Sequence, residues 1–212
     1  MPRGPPGAVS RGTSVISSAG ILLYRFGRTS EDAGRDDAAA VRVWIAHMGG
    51  PFWARKDDHA WSVPKGEFVP PEDALAAAKR EFGEEMGWPA PDVEYQLLGT
   101  FRQSSAKTIT VFAAEADFPD RQISSNTFEL EWPPRSGTLR SYPEVDRAGW
   151  FTVDEARTKL VKGQVQLLDA LAVQLRGGAE RSPDRRGTAR SGRQPGRRRS
   201  SSGRSGGRRA AQ

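Results

Sequence analysis

The sequence contains no cysteine and only two histidines, His47 and His59. The lack of cysteine excludes a disulfide-stabilised scaffold, a thiolate metal site and a cysteine nucleophile. Two histidines are too few for a histidine-rich zinc site, so we expect both to be structural or solvated. No apolar run approaches the roughly 18 residues of a membrane-spanning helix, and residues 1–18 lack the apolar stretch of a signal peptide. We therefore expect a cytoplasmic protein that makes no membrane contact.

Charge is distributed unevenly along the 212 residues, whose formal net charge is +6. Residues 177–212 carry 11 arginines against two acidic residues, which leaves residues 1–176 mildly acidic. This C-terminal segment has no aromatic residue and only alanine as an apolar one, too little apolar surface to offset the entropy of ordering it. We expect a disordered tail. It is either a solvated extension or a weak contact for nucleic acid or polyphosphate through counterion release.

Hydrophobic patterning divides the chain into a flexible leader over residues 1–16, one folded domain over residues 17–176 and the tail over residues 177–212. Apolar or alternating runs predict strands in the domain, over residues 17–26, 41–48, 93–103, 107–117, 127–132 and 148–152. Apolar stripes and terminal signals predict helices, over residues 71–86, 153–161 and 164–176. A polar turn is predicted over residues 28–40, a loop over residues 49–66 and otherwise irregular chain over residues 118–140.

Three glutamates stand near the end of the first predicted helix: Glu81, Glu84 and Glu85, at positions i, i+3 and i+4. On a helix their side chains share one face, with Cβ atoms about 5–6 Å apart. They repel one another there, and they lie at the end of the helix dipole that disfavours anions. A divalent cation would offset both penalties. Because the ligands are all oxygen, the pattern indicates a hard ion, Mg²⁺ or Mn²⁺, which keeps positions open for substrate phosphates.

Arg80 and Glu72 fall on roughly the same side of this helix as Glu84, where they would orient the ligands. Taken alone, E-x-x-E-E is more often a solvated helix face than a metal site. The longer pattern from Gly66 onwards fixes seven residue types and two apolar positions. By chance it is expected on the order of once in ten million chains of this length. Gly83 inside the helix costs about 0.8–1 kcal/mol relative to alanine, which we expect to reflect close packing.

This pattern resembles the Nudix box, G-x5-E-x7-R-E-U-x-E-E-x-G-U with U apolar, and residues 66–88 meet every position. The surrounding order of strands and helices extends the resemblance over residues 17–176. The resemblance implies an α-β-α sandwich of the α/β (α+β) class with a mixed β-sheet. It also implies metal-dependent hydrolysis of a nucleoside diphosphate linked to another group.

The same resemblance implies roles for particular residues. The Gly66 carbonyl and the carboxylates of Glu81, Glu84 and Glu85 would hold Mg²⁺ or Mn²⁺. Arg80 would place Glu81, which is also the candidate general base. Bound divalent ions neutralise phosphate oxygens and generate a nucleophile near neutral pH, which is what attack by water on a diphosphate requires.

Residues 61–66, W-S-V-P-K-G, are similar to the W-[ST]-x-P-K-G form of diadenosine polyphosphate hydrolases. Lys65 is accordingly a candidate ligand of an outer phosphate, as a point charge, although it can also be read as a surface lysine beside a loop. Residues 144–151 resemble the segment from which these hydrolases supply a further glutamate. Glu144 is therefore a candidate metal ligand. Its rivals are Glu129 and Glu131, and it can also be read as a surface residue.

Residues 49–58 and 125–134 resemble a group of predicted bacterial Nudix pyrophosphohydrolases. They contain Trp53 and Trp132, which are candidates for stacking on adenine and otherwise anchors in the core or a loop. The sequence thus predicts a Mg²⁺- or Mn²⁺-dependent Nudix pyrophosphohydrolase acting on a nucleoside polyphosphate, with diadenosine polyphosphates first.

Two enzymatic alternatives remain, nucleotide-pool sanitation and ADP-ribose cleavage. A non-catalytic Nudix-fold module that binds nucleotides for regulation is the alternative from another class. The intact glutamates argue against that module, because a protein that only binds has no need for side chains that repel one another.

Overall fold

The computed structural model describes residues 16–27, 41–119 and 122–181. Most of the expected leader, the turn at residues 28–40 and the tail beyond residue 181 lie outside the described residues. The described strands and helices follow in this order: β1 (Ile16–Phe26), β2 (Val41–Met48), β3 (Trp61–Ser62), β4 (Lys65–Glu67), α1 (Ala74–Met86), β5 (Gln96–Arg102), β6 (Lys107–Glu115), β7 (Thr127–Glu131), β8 (Leu139–Pro143), β9 (Val145–Thr152), α2 (Val153–Lys159), a 3₁₀ turn (Lys162–Gln164) and α3 (Gln166–Arg181).

A mixed seven-stranded sheet forms the centre of the fold. Its main path runs β3-β2-β1-β6-β5, while β4 also pairs with β1 and β9 with β2. The pairs β1–β2 and β5–β6 are antiparallel, whereas β1 and β6 are parallel. Strands β7 and β8 form a separate antiparallel hairpin, which lies between β6 and β9 in the chain.

Helices cover both faces of the sheet, and each face has its own core. Phe82 of α1 belongs to one buried cluster and Leu168 of α3 to the other. Strand β1 supplies both clusters, because Ile21 and Leu23 face α1 while Leu22 faces the opposite layer. Burial on both faces explains why β1 is a near-continuous apolar run. The predicted α-β-α sandwich with a mixed sheet is confirmed.

Helix α1 begins three residues later than the sequence pattern predicts. The carboxylate of Asp73 accepts hydrogen bonds from the backbone N–H groups of Leu75 and Ala76, at 3.0 and 2.9 Å, and so caps the helix. Gly87, with φ of 74°, ends it in the left-handed conformation. The glutamates therefore occupy the last two turns, as expected.

Strands β3, β4 and β8 were not predicted. Strands β3 and β4 have two and three residues, too few to show a period, and all of these residues except Glu67 lie within the predicted loop. Helix α3 continues to Arg181 rather than ending at residue 176. Within the described residues, no helix is both long and apolar enough to cross a bilayer.

Candidate functional site

A cavity of about 310 Å³ lies between α1, β4 and the start of β9. Its wall includes Lys65 and Gly66 from β4, Glu81 and Glu85 from α1, and Glu144 from the junction of β8 and β9. These five residues were assigned to one site from the sequence, and the structure brings them together.

The cavity wall also contains residues that the sequence did not single out: Ala46, Met48, Ser62, Glu67 and Val145. Glu67 directly follows the motif glycine and forms an ion pair with Lys107 at 3.7 Å. Its signal in the sequence was an acidic side chain directly after the motif glycine. The other four carried no signal, because they reach the cavity only through strand pairing.

Gly66 is required by the approach of Glu81. A Cβ built on Gly66 would lie 1.8 Å from Cδ of Glu81 and 1.9 Å from its nearer carboxylate oxygen. A side chain at this position would therefore force the carboxylate of Glu81 to move away. Gly66 is fixed in turn by its pairing with Ala19 of β1, so the carboxylate of Glu81 rests against the backbone of β4.

Arg80 lies among three carboxylates. Its Nε donates a hydrogen bond to Glu72 at 3.0 Å, and its Nη1 donates to Glu81 at 2.6 Å and to Glu84 at 3.3 Å. These contacts raise the pKa of Arg80. The planar guanidinium suits such simultaneous contacts. The carboxylate of Glu84 thus faces Arg80, and Glu84 is not among the described residues that line the cavity.

Glu85 is the buried carboxylate of the site, with 9% of its surface exposed. Its pKa is raised to about 8, mainly by burial and to a smaller extent by the charges of Glu81 and Glu144. Lys65 opposes this shift through its charge and through its backbone N–H, which donates to Glu85 Oε2 at 3.2 Å. Burial also raises the pKa of Glu81, against the effect of Arg80. The cavity therefore concentrates negative charge that Lys65 only partly compensates.

The residues of the cavity fit a divalent metal ion in their chemistry but not in their present arrangement. Within the described residues, no three acidic or histidine side chains converge closely enough to hold one as they stand, and Arg80 holds the carboxylates of Glu81 and Glu84. The donor chemistry does fit, since carboxylate and carbonyl oxygens are the ligands of hard divalent cations. The buried carboxylate of Glu85 also favours a nearby positive charge.

Neither tryptophan proposed for stacking lines the cavity. Trp53 packs against the core, and the Lys56 ammonium lies 4.7 Å from its ring centroid. Trp132 follows β7 and packs edge-to-face against Phe52, with ring centroids 5.2 Å apart. Phe52 is 55% exposed, so this second pair forms an accessible aromatic surface.

The rival glutamates lie elsewhere. Glu129 and Glu131 belong to β7, and Glu131 accepts a hydrogen bond from the backbone N–H of Gly137 at 2.8 Å within the hairpin.

The histidines have structural contacts. Buried His47 bonds to Asp146 and to a backbone carbonyl, and His59 bonds to a backbone carbonyl at 3.0 Å.

The sequence matches the model of a known protein family. This family model, of the NUDIX domain, matches residues 35–171. An RNA pyrophosphohydrolase of Legionella pneumophila is 43% identical over 53 residues, which make up 24% of this chain and 29% of that protein. The chain thus matches less than a third of the length of this curated relative.

Solved structures with the same fold cover most of the chain. A Caenorhabditis elegans Ap4A hydrolase in a binary complex covers 77% of this chain and 99% of its own, with a TM-score of 0.50 and 21% identity. A mutT/nudix family protein of Listeria innocua covers 79% and 98%, with a TM-score of 0.52 and 16% identity. The NUDIX domain of Shewanella oneidensis NrtR, complexed with ADP ribose, covers 76% and 89%, with a TM-score of 0.50 and 14% identity.

Proposed function

The chain belongs to the Nudix family, and from this premise we propose that it is a divalent-metal-dependent pyrophosphohydrolase. The proposed reaction is hydrolysis of a phosphoanhydride in a nucleoside polyphosphate, with a diadenosine polyphosphate as the first candidate substrate. The observation that carries the proposal is the cavity in which Glu81, Glu85 and Glu144 meet Gly66 and Lys65.

A divalent cation, Mg²⁺ or Mn²⁺, would supply charge neutralisation of phosphate oxygens and a nucleophilic water near neutral pH. We assign its ligands to the carbonyl of Gly66 and to four carboxylates, those of Glu81, Glu84, Glu85 and Glu144. Glu84 is included because its side chain stays 38% exposed despite its contacts with Arg80, at 3.3 and 3.4 Å.

Glu81 is the proposed general base, and Arg80 and Gly66 hold it in position from two sides. Burial raises its pKa, which brings a carboxylate closer to the range in which it accepts a proton efficiently at neutral pH. Lys65 stands in the cavity wall beside these carboxylates. We propose that its ammonium binds an outer phosphate of the substrate.

A nucleobase would bind outside the cavity. We propose Trp132, together with Phe52, as its stacking surface, because their rings pack against each other and Phe52 is exposed while Trp132 is half-buried. Trp53 was also a candidate, but core contacts on its ring and the adjacent Lys56 favour a structural role.

The 5′ end of an RNA is a second candidate substrate. The 53-residue match to an RNA pyrophosphohydrolase supports it, and so does the arginine-rich segment that begins at residue 177. Both candidate substrates present a phosphoanhydride to the same cavity, so they differ only in what lies beyond the phosphates.

The test is a substrate panel with the full chain and Mg²⁺, with products resolved by chromatography. The panel contains diadenosine tetraphosphate, nucleoside triphosphates, ADP-ribose and an RNA with a 5′-triphosphate. Glu81→Gln is expected to lower turnover by about 10²–10⁴-fold, the usual contribution of a general base. The matched control is Glu94→Gln, at an exposed glutamate outside the cavity, which should retain full activity.

Two results would reject the proposal: no hydrolysis of any panel member, or equal turnover of Glu81→Gln and the wild type. Binding of a panel nucleotide without hydrolysis would support the non-catalytic regulatory module instead.

A further inference from the structure

Glu144 occupies the junction between two strands, where its backbone is held from both sides. Its carbonyl accepts a hydrogen bond from the backbone N–H of Gly49 at 2.8 Å, and its own N–H donates to the carbonyl of Asn126 at 2.8 Å. A Cβ on Gly49 would lie 2.0 Å from the carbonyl oxygen of Pro143, so the two segments are in close contact. The side chain of Glu144, in contrast, is exposed at the cavity.

The segment Ser124–Asn126 connects this junction to the acidic end of α1. The backbone N–H of Asn126 donates to the carbonyl of Glu84 at 3.1 Å, and that of Ser124 donates to the carbonyl of Met86 at 3.3 Å. Three consecutive residues therefore contact both the turn that carries the motif glutamates and the backbone of Glu144. Nothing in the sequence pattern around Ser124–Asn126 predicted this connection.

The hydroxyl of Ser125 is the side-chain element of the connection. Its Oγ accepts a hydrogen bond from the backbone N–H of Val145 at 3.0 Å and donates to the carbonyl of Asn126 at 2.8 Å. That carbonyl also accepts the N–H of Glu144. The hydroxyl thus bonds directly to the peptide group that follows Glu144 and shares the carbonyl of Asn126 with the N–H of Glu144.

We propose that Ser125 is a positioning residue, which sets the distance between Glu144 and the glutamates of α1 and thereby the affinity of the site for a divalent cation. This inference rests on the proposed function, because it takes Glu144 as a metal ligand. Groups that orient metal ligands without touching the ion typically contribute about 10–100-fold to metal affinity or activity.

The test measures Mn²⁺ binding to the full chain by electron paramagnetic resonance, with no substrate present. Ser125→Ala is expected to weaken Mn²⁺ binding by about tenfold, and Ser125→Thr, which keeps a hydroxyl, should restore most of it. The matched control is Ser136→Ala. The hydroxyl of Ser136 also accepts a backbone N–H, that of Thr138 at 3.2 Å, but at the far end of the β7–β8 hairpin, so Mn²⁺ binding should be unchanged.

A double-mutant cycle separates positioning from a general effect on folding. If Ser125 acts through Glu144, then Ser125→Ala should weaken Mn²⁺ binding in the wild type but not further in Glu144→Gln. Circular dichroism checks the fold of each variant. If Ser125→Ala does not fold, the comparison of Ser125→Val with Ser125→Thr replaces it. These two side chains have nearly the same shape, and valine has a methyl group where threonine has its hydroxyl.

The outcomes distinguish the two proposals. If the wild-type chain binds Mn²⁺ and hydrolyses a nucleotide, but Ser125→Ala binds Mn²⁺ as tightly as Ser136→Ala does, only the role of Ser125 is rejected. Additive effects of Ser125→Ala and Glu144→Gln reject it as well. If the wild-type chain binds no Mn²⁺ at all, the metal site is rejected together with the positioning residue.

Discussion

Three glutamates in the last two turns of α1 have three different surroundings. Glu81 rests against the backbone of β4, Glu84 faces Arg80, and Glu85 is buried beside Lys65. The contact of Glu84 with Arg80 also occurs on solvated helix faces, but the packing of Glu81 on a strand and the burial of Glu85 do not. The differences follow from a helix that presents successive residues at about 100° to one another, so that neighbours in the motif meet different partners.

Gly66→Ala should displace Glu81, because the added Cβ would occupy the place of its carboxylate. We expect turnover to fall by about 100-fold, the effect of misplacing a catalytic group by about 1 Å, while the fold is retained. Turnover of the best panel substrate is the measurement. Gly178→Ala in α3 is the matched control, since no atom lies within 4 Å of a Cβ there. Equal turnover in the two variants would contradict the assigned role of Gly66.

Glu85 should make the stability of the metal-free chain depend on pH. Its pKa rises from 4.5 to about 8 on folding, so between these values the folded chain holds a proton that the unfolded chain releases. The free energy of unfolding should therefore fall as pH rises from about 5 to about 8, by at most ~1.4 kcal/mol per pH unit. Urea denaturation in the presence of a chelator measures this slope.

Glu85→Gln should flatten that slope, whereas the exposed control Glu94→Gln should keep it. Added Mn²⁺ should reverse the effect at high pH, because a bound cation favours the ionised carboxylate. A slope that is the same with and without Glu85 would mean that another group titrates.

Some residues of the candidate site could be predicted from the sequence and others could not. The difference depends on whether a residue belongs to a local motif or is brought to the cavity by long-range contacts. Glu81 and Glu85 lie within the motif of residues 66–88 and Lys65 directly precedes it, whereas Glu144 came from resemblance alone. Spacing along a helix predicts a shared face but not which carboxylate an arginine binds. Ser125 could not be predicted, because its role consists of contacts with backbone groups about 20 residues further on.

At the scale of elements, helix α1 is capped at both ends but contains one residue of low helix propensity in its interior. Asp73 caps its start and Gly87 its end, but Gly83 lies in its interior. The expectation that Gly83 allows close packing was wrong, since a Cβ there would meet only the carbonyl oxygen of Trp88, at the ordinary distance of 3.9 Å.

Gly83→Ala should therefore stabilise the chain by about 0.8–1 kcal/mol, the difference in helix propensity between the two residues. The free energy of unfolding from urea denaturation is the measurement. Gly87→Ala is the contrasting variant. It should destabilise, because Gly87 has a positive φ and its added Cβ would lie 2.7 Å from the carbonyl oxygen of Ser124. A loss of stability in Gly83→Ala would show that the helix needs glycine for another reason.

The β7–β8 hairpin shows where sequence patterns fail at this scale. Strand β7 was predicted, but its partner Leu139–Pro143 has exposed residues at its first three positions and no alternation. Its pairing depends on register with β7, from Thr127↔Pro143 to Glu131↔Leu139. A strand without a buried face gives no periodic signal. The hairpin nevertheless leads directly into Glu144, so the element missed from the sequence is the one that precedes a candidate site residue.

At the scale of the whole molecule, the sheet order assembles the site. Strand β1 pairs with β4 through one part of its length and with β2 through another, and β2 pairs with β9 up to Val145. Residues as far apart in the sequence as Ala46 and Val145 thereby line one cavity. Single strands could be predicted from their patterns, but these non-local pairings could not. The bounds of the folded domain and the cytoplasmic location stay predictions.

The uneven charge of the chain is a property of the whole molecule, and removing residues 182–212 tests what it does. This change deletes ten arginines and one aspartate. We expect turnover of a diadenosine polyphosphate to be unchanged within about twofold, because every residue that lines the cavity lies between positions 46 and 145. Affinity for single-stranded RNA should fall, and its dependence on salt should become shallower, because fewer counterions are released on binding.

Fluorescence anisotropy with a labelled RNA at low and moderate salt measures this affinity. The matched control is a full-length chain in which the ten arginines are replaced by glutamine, which keeps the length and removes the charge. Both altered chains should bind RNA equally weakly. If RNA affinity is the same in all three chains, residues 182–212 are a solvated extension. If both altered chains turn over the diadenosine substrate more slowly than the full-length chain, the arginines contribute to hydrolysis. The prediction that they affect only RNA binding would then be wrong.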